Sequence, residues 1–581
     1  MNDISESRIC QNCKGKFTIE PEDFKFYEKI KVPPPTFCPE CRMQRRILWR
    51  NERVLYKSVC ALCKKSIISM YDSKNNFVVF CDKCWWGDGW DALSYASPYD
   101  FNISFFEQWL NLLKRAPLTQ LWKFNNVNSD YINYSTENKN CYLSSSILNC
   151  EDVSYSYALD KSQNTLDSLY SNKLIWCYEN IDSVNNYNSI FLQESSNCID
   201  SGFLFDCVNC QNCFLSSNLR NKKYVFENIQ YTKEEYESKI SKLEIKDYSV
   251  LQKLLKEFKK IRENKAIHKY IQTINSVNCS GNNIENSKNV FYSFNVNNSQ
   301  DIKYAVRSDG NKDTMDMFGG VRTESSYEGV APSFQGSKSF FGITNKGSND
   351  IQYSFLCISS HDLFACIGLR SKQYCILNKQ YTKEEYEEMV PKIIQHMNDM
   401  PYIDKKGRIY KYGEFFPSEL SPFSYNETIA QEYFPLTKEE ALKEGYSWKE
   451  KEERNYTIDI KNEDIPNNIK EVEDSIINKV IECEHKGKCN EQCTEAFKII
   501  PDELSFYKRM NLPIPHLCPN CRHYNRLKQR NPLKLWHRHC MCKNPKHAHL
   551  DIGCPSEFET SYSPDRPEII YCERCYNQEV Y

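Results

Sequence analysis

"NCYLSSS" (residues 140–146), "DVSYSYA" (152–158) and "NTLDSLY" (164–170) begin 12 residues apart. The step runs from Asn128 through Asn140, Asp152, Asn164, Trp176, Asn188, Asp200 and Asn212, and six of those seven steps land on Asn or Asp. Apolar or aromatic residues follow each landing, then Ser, Asn or Gly, as in "DSGFLFD" (200–206) and "NCFLSSN" (212–218). Short strands punctuated by Asn/Asp turns at a fixed period point to a β-solenoid. Twelve residues suit one strand and one turn. Two such units are expected to make a coil of about 24 residues in a right-handed parallel β-helix. Stacked Asn ladders and apolar side chains are expected in its interior.

The same step recurs downstream at Asn289, Asp301, Asp313, Ser326, Ser339, Asp350 and Asp362, with units such as "NVFYSF" and "DLFACI". Cys141, Cys198, Cys213 and Cys366 fall on repeat positions and read as small buried stack residues. Both tracts end alike. "NLRNKKYVFENIQYTKEEY" (218–236) matches "GLRSKQYCILNKQYTKEEY" (368–386), with "QYTKEEY" identical. Thr232 with Glu235, and Thr382 with Glu385, form Ser/Thr-x-x-Glu capping boxes. Each solenoid is therefore expected to close with a strand pair and a helix, which hides its open strand edge.

The chain has 581 residues, a formal charge of −2, 40% apolar residues and 29 cysteines. That charge makes no whole-protein case for nucleic acid. No run of about 18 apolar residues is present, so no membrane span is expected. "MNDISESRICQNC" has neither a basic start nor an apolar core, so it does not read as a signal peptide. A cytoplasmic location is the expectation, and Cys-x-x-Cys pairs there favour metal over disulfides.

Four pairs stand near the N-terminus: Cys10/Cys13, Cys38/Cys41, Cys60/Cys63 and Cys81/Cys84. Tetrahedral zinc takes four thiolates, and each pair presents two to one ion. Sequential pairing makes one site from Cys10, Cys13, Cys38 and Cys41, and a second from Cys60, Cys63, Cys81 and Cys84. An iron–sulfur cluster would use the same ligands. Residues 493–540 repeat residues 13–60 without a gap, with 17 of 48 positions identical. The matches include Phe26/Phe506, Tyr27/Tyr507, Arg42/Arg522, Arg46/Arg526 and Arg50/Arg530. The C-terminal sites are assigned to Cys489, Cys493, Cys518 and Cys521, and to Cys540, Cys542, Cys572 and Cys575, giving about four Zn2+ per chain. His547, His549 and Cys554 can replace a ligand there or bind another metal; a surface loop with incidental histidines is the alternative. Residues 41–55 read as a helix entered from the second Cys pair. A hairpin before it would complete a treble-clef-like finger whose amides face the thiolates.

The expected organisation is a zinc module at 1–96, a helical connector at 97–123, solenoids at 124–231 and 271–381 joined by a helical linker at 232–270, a mixed segment at 382–480, and a second zinc module at 481–581. Four stretches carry a further likeness: "FCDKCWWGDGWDALSY", "LRSKQYCILNKQYTKEEYEE", "GEFFPSELSPFSYNETIAQEYFPLTKEEAL" and "FETSYSPDRPEIIYCERCYNQE". Through them nearly the full chain resembles a family of Candidate Phyla Radiation bacteria with zinc-ribbon ends around Asn/Cys-rich repeats. The resemblance implies no activity.

Phosphate-loop, dinucleotide, zincin and serine-hydrolase motifs are missing, and closed four-cysteine sites are structural. Three readings remain. A β-helix carbohydrate-active enzyme would use Asp160, Asp200, Asp206 or Asp316, all of which also suit turns. A nucleic-acid binder, RNA first, would use Arg42, Arg46, Arg50, Arg522, Arg526 and Arg530. The alternative for these arginines is local neutralisation, by the thiolate centres or by the chain's own acids. A protein-binding scaffold would use the long faces of the solenoids. The leading expectation is a non-enzymatic, zinc-stabilised scaffold whose partner is nucleic acid or protein.

Overall fold

The computed structural model describes residues 5–331, 334–451, 456–547, 549 and 553–581. The chain divides into two compact units. One comprises Met1–Leu121, Ile271–Glu450 and Leu533–Leu535; the other comprises Trp122–Tyr270, Lys451–Pro532 and Trp536–Tyr581. Each unit holds one solenoid and one cysteine module, and the pairing is crossed. The N-terminal module belongs with the second solenoid, and the C-terminal module with the first.

Strands in each solenoid stack in parallel at a register of i to i+12: Val153 opposite Thr165, Leu192 opposite Leu204, Ile351 opposite Leu363. One coil is therefore twelve residues, not the expected 24. The reason lies in the backbone. Every third residue is left-handed, as at Asn140 (φ 54°), Leu143 (43°), Ser146 (55°) and Asn149 (51°). Four such corners return the chain to its start in twelve residues. Asn and Asp are the residues that tolerate this conformation best, which is why they mark the period. Leu143, Tyr155 and Phe191 adopt it as well, at roughly 1–2 kcal/mol each.

The residue after each corner points inward. Cys141, Ser144, Ile147, Cys150, Val153, Ser156, Leu159 and Ser162 follow one another down the sequence at every third place, and all are buried. The lumen is thus a mixture of apolar residues with Ser, Cys and some Asn. Ser183 shows why serine fits. Its hydroxyl donates to the Ile181 carbonyl (2.9 Å) and accepts the Ser195 amide of the next coil (3.3 Å). Ser195 does the same for Cys207 (3.1 Å). The amide of the inward residue after a corner is thereby satisfied inside the protein. Cys141, Cys198, Cys213 and Cys366 are buried at these lumen positions, as expected.

The interior does hold Asn, as at buried Asn138, Asn180 and Asn186, but the longer Asn/Asp ladder runs on the outside. Asn128 donates to Asn140 (2.9 Å), Asn140 to Asp152 (3.0 Å) and Asn188 to Asp200 (2.7 Å), at corner positions whose side chains face outward. In the second solenoid the register slips between Cys279 and Gly281. Gly281 has φ +140°, and a Cβ there would stand 1.7 Å from the Ser293 carbonyl oxygen. Further on, Ser325 and Lys338 are the corners. Ser326 and Ser339, read as corners from the sequence, lie one residue inward, and the Ser326 hydroxyl accepts the Ser339 amide.

Both solenoids close as expected. The hairpins Lys223–Phe226/Ile229–Gln230 and Gln373–Ile376/Lys379–Gln380 lead into capped helices at Lys233–Ile240 and Lys383–Asp399. In the second unit the helix Tyr248–Asn264 lies on the first solenoid, with Phe258 against Phe203. In the first unit the helix Phe105–Arg115 docks through Trp109, whose indole donates to the Tyr353 carbonyl (3.0 Å).

Candidate metal centres

Each module is built twice over from one local plan. A short hairpin presents the first thiols, and a cysteine at the N-cap of the following helix presents the rest. The hairpins are Glu6–Ile9/Lys16–Ile19, Tyr56–Val59/Ser66–Ser69, Ile481–Glu482/Ala496–Phe497 and Trp536–His539/Glu557–Thr560. The N-caps are Cys38, Cys81, Cys518 and Cys572. In every copy the N-cap amide donates to the first sulfur of its group: Cys38 to Cys10 (3.3 Å), Cys81 to Cys60 (3.3 Å), Cys518 to Cys483 (3.2 Å) and Cys572 to Cys540 (3.2 Å).

Four groups of four thiols result, each with its sulfurs within 4.8 Å of one another: Cys10/Cys13/Cys38/Cys41, Cys60/Cys63/Cys81/Cys84, Cys483/Cys493/Cys518/Cys521 and Cys540/Cys554/Cys572/Cys575. A tetrahedral metal with bonds of about 2.3 Å to sulfur spaces its thiolates at roughly 3.8 Å. Cys13–Cys38, Cys63–Cys81 and Cys554–Cys572 are each 3.8 Å apart, so the groups fit a metal ion.

The N-terminal groups are those the spacing indicates. Two C-terminal groups bring in a cysteine that the spacing did not pick. Cys483 joins Cys493, Cys518 and Cys521, because it follows the hairpin strand as Cys10 does, and the loop to Cys493 is longer than that from Cys10 to Cys13. Cys489 stands at the rim, 3.7 Å from Cys521. Cys554 takes the place given to Cys542, because a long loop is inserted between Cys540 and Cys554 where Cys60 and Cys63 form a tight turn. The signal was available in the pairing. The Cys60 amide donates to the Lys65 carbonyl and the Cys540 amide to Ser556, placing Cys63 and Cys554 alike, two residues before those carbonyls.

The groups hold their protons unevenly. Burial raises the Cys60 thiol, but amides of Cys81, Cys63 and Leu62 outweigh it and bring it down to about 6. Hydrogen bonds from Cys38 and then Cys41 hold Cys10 far below the usual thiol range. Cys38 is pushed up to about 12 by Cys10. Each set therefore offers a ready thiolate backed by protons that a cation can displace.

The helix predicted for residues 41–55 spans only Pro39–Ile47. Beyond it the chain turns to bury Trp49 against Trp109 and Phe416. Its arginines are not on a free face. The six arginines of the two stripes have side chains no more than 7% exposed. In the first unit Arg42 pairs with Asp316 (2.8 Å) and Arg46 with Asp316 (3.0 Å) and Glu328 (3.7 Å). Arg45 pairs with Glu328 (2.6 Å) and Glu414 (2.9 Å), and Arg50 with Glu52. In the second unit Arg522 pairs with Asp167 (3.0 Å) and Glu503 (3.4 Å). Arg526 pairs with Asp167 (2.8 Å) and Glu179 (2.8 Å), and Arg530 with Asp182 (2.7 Å). The pairing of Arg42 and Arg46 with Asp316 is repeated by Arg522 and Arg526 with Asp167, so the duplication covers module and solenoid together. As a phosphate-contacting surface the six arginines are misassigned, since solenoid and module carboxylates already cover them.

Burial works against the Arg42 charge, yet Asp316 outweighs it and keeps the guanidinium protonated. Burial pushes the Glu179 carboxyl up to about 7, against the pull of Arg526. The candidate catalytic aspartates are likewise engaged. Asp316 lies under Arg42 and Arg46. Asp206 is buried with Arg220, Asn218 and Tyr576. Asp200 belongs to the outer ladder, and Asp160 accepts from Asn149 (3.2 Å). Beside the second unit's network lies a cavity of about 540 Å³, lined by Glu179, Arg262, His485, His516 and Lys528 among others. Its Glu179 is committed to Arg526, and its His516 is stacked on Tyr248 at 3.6 Å.

Fold and sites together define a β-solenoid scaffold with duplicated four-cysteine modules. Neither family models nor curated proteins match the chain. No helix among the described residues is long and apolar enough to cross a membrane.

Proposed function

We propose that the chain is a non-enzymatic binding scaffold whose four thiol groups hold zinc and whose solenoid faces engage a protein. The observation that carries this is the internal pairing of the two arginine stripes. A helix that spends its cations on buried carboxylates of its own solenoid acts as a clamp. Zinc then fixes the helix N-terminus, and the helix fixes the solenoid. Four-thiolate sites are closed, which suits structure rather than catalysis.

The binding face is read from the first solenoid. Ile175, Tyr187 and Ile199 stack at i+12 and are 37%, 45% and 41% exposed, beside the Asn188–Asp200 ladder. Solvent-exposed apolar residues in register with amides and carboxylates suit a polypeptide surface. Affinity capture of the full chain from native cells, read by both mass spectrometry and RNA sequencing, tests this. The expected result is a protein that survives about 300 mM salt and is lost in the variant Tyr187→Ala with Ile199→Ser. Recovery of RNA that falls away steeply with salt would favour the nucleic-acid reading.

A further inference from the structure

The two modules differ most between the first two thiols of their second groups. Between Cys60 and Cys63 there is a tight turn, but between Cys540 and Cys554 the chain carries "MCKNPKHAHLDIG". From this segment Cys542, His547 and His549 bring one ligand atom each to within 4.8 Å of one another and of the Cys575 sulfur. Cys575 also belongs to the Cys540/Cys554/Cys572 group. We propose that this end of the protein holds a second zinc ion, bound by Cys542, His547, His549 and Cys575, with the Cys575 thiolate bridging the two metals.

The donor set is that of a borderline-soft divalent cation: two sulfurs and two imidazole nitrogens. Cys542, His547 and Cys575 are buried, at 1%, 6% and 1% exposure. The Cys542 sulfur lies 3.1 Å from His547 Nδ1. The other nitrogen, Nε2, faces Glu579 Oε1 at 3.5 Å, and Asn544 donates to the same oxygen at 2.6 Å. A carboxylate behind an imidazole fixes the tautomer that leaves the opposite nitrogen free to ligate. Nδ1 is then the ligand atom, and the Nε2 proton stays on the side of Glu579.

Charge favours the pair. A divalent ion among four thiolates leaves two net negative charges. The second ion displaces the Cys542 proton and binds both imidazoles neutral. Five thiolates and two divalent ions then leave a single net negative charge, with the excess held on the shared sulfur. The shared thiolate comes from Cys575, on the helix Glu573–Val580.

The inference rests on zinc occupying the Cys540 group, and the test separates the two. Zinc per chain is measured by elemental analysis on full-length wild type, on the double variant His547→Ala with His549→Ala, and on Cys542→Ser. Each variant is expected to hold one ion fewer than wild type. A shortfall common to wild type and variants bears on the four-thiolate reading alone. Equal counts in wild type and variants overturn the second ion. Loss of two ions overturns it as well, because the histidines would then be supporting the Cys540 group rather than an ion of their own. The bridge has its own readout. In the cobalt-substituted protein, two high-spin ions sharing a thiolate couple, so the paramagnetic signal per cobalt should rise in the double variant. An unchanged signal per cobalt overturns the shared sulfur.

Discussion

Replacing Arg46 with Met removes a guanidinium that is 1% exposed and keeps most of its volume. Asp316 then keeps only Arg42, and Glu328 only Arg45. Breaking one side of a buried ion pair costs about 3–5 kcal/mol, because the partner charge is left in a poor solvent. The remaining arginines soften that, so about 3 kcal/mol is expected, against 0–1 kcal/mol for an exposed pair. Three kcal/mol is about a hundredfold in an opening equilibrium. Amide exchange, followed peptide by peptide in the full chain, reads it locally. The helix Pro39–Ile47 and the coils around Asp316 should exchange about a hundredfold faster, and the equivalent peptides of the second unit should not change. The cost should persist at about 1 M salt, since buried pairs are poorly screened. A change below about 1 kcal/mol, or one that salt abolishes, would refute the buried clamp.

The remaining predictions concern ligands, pairing and pH. Cys483→Ser should release one metal ion per chain while Cys489→Ser releases none, as measured by elemental analysis; the reverse result would restore the spacing-based assignment. The exchange Arg45→Asn with Asn525→Arg should destabilise both units in denaturant, since Glu414 loses its arginine in one and a new buried cation appears in the other; unchanged midpoints would count against that specificity. His268 is buried with its ring on Tyr562 and the Arg262 carbonyl, and burial brings its pKa down to about 4 from 6.5. The folded protein thus binds fewer protons than the unfolded chain between those values. Stability of the second unit should fall as pH drops from 6.5 towards 4, by up to about 3 kcal/mol. His268→Gln should flatten that slope, and an equal slope in both proteins would rule out His268 as its source.

Much of this was legible in residue types, and the failures share a cause. The twelve-residue period shows because Asn and Asp favour left-handed corners. The three-residue rhythm beneath it does not show, since Leu143, Tyr155, Trp176 and Phe191 take the same conformation with no signature of their own. Without that rhythm, a strand and a turn look like half a coil. The lumen was hidden by its serines, which count as polar in any periodicity but have their hydroxyls committed to backbone within and between coils. The N-terminal thiol groups were legible because local spacing decides them. Cys483 and Cys554 were not, because insertions moved the ligands while the hydrogen-bonding of the hairpins stayed the same. The arginine stripe was visible as a stripe. Its partners Asp167, Glu179, Asp316 and Glu328 looked like turn residues, because their role depends on a module far away in sequence.

That distance bears on why the module is written twice. Arg46 is 121 residues from Asp167 and 270 from Asp316. Loop closure over the longer span costs only about 0.7 kcal/mol more than over the shorter. Chain entropy therefore barely opposes the crossed arrangement, and side chains can decide it. The two networks share the Arg42/Arg522 and Arg46/Arg526 pairings but differ elsewhere, most tellingly where the N-terminal module has Arg45 and the C-terminal module Asn525. Arg45 answers both Glu328 and Glu414, whereas Glu179 is answered by Arg526. The N-terminal module set on the first solenoid would bury Arg45 without Glu414. The C-terminal module set on the second would leave Glu328 with a single arginine and Glu414 with none. Either error strands a buried charge at several kcal/mol, far above the entropy difference. Duplication alone would let either module clasp either solenoid; the departures from duplication, the Arg45–Glu414 pair first among them, favour the observed choice.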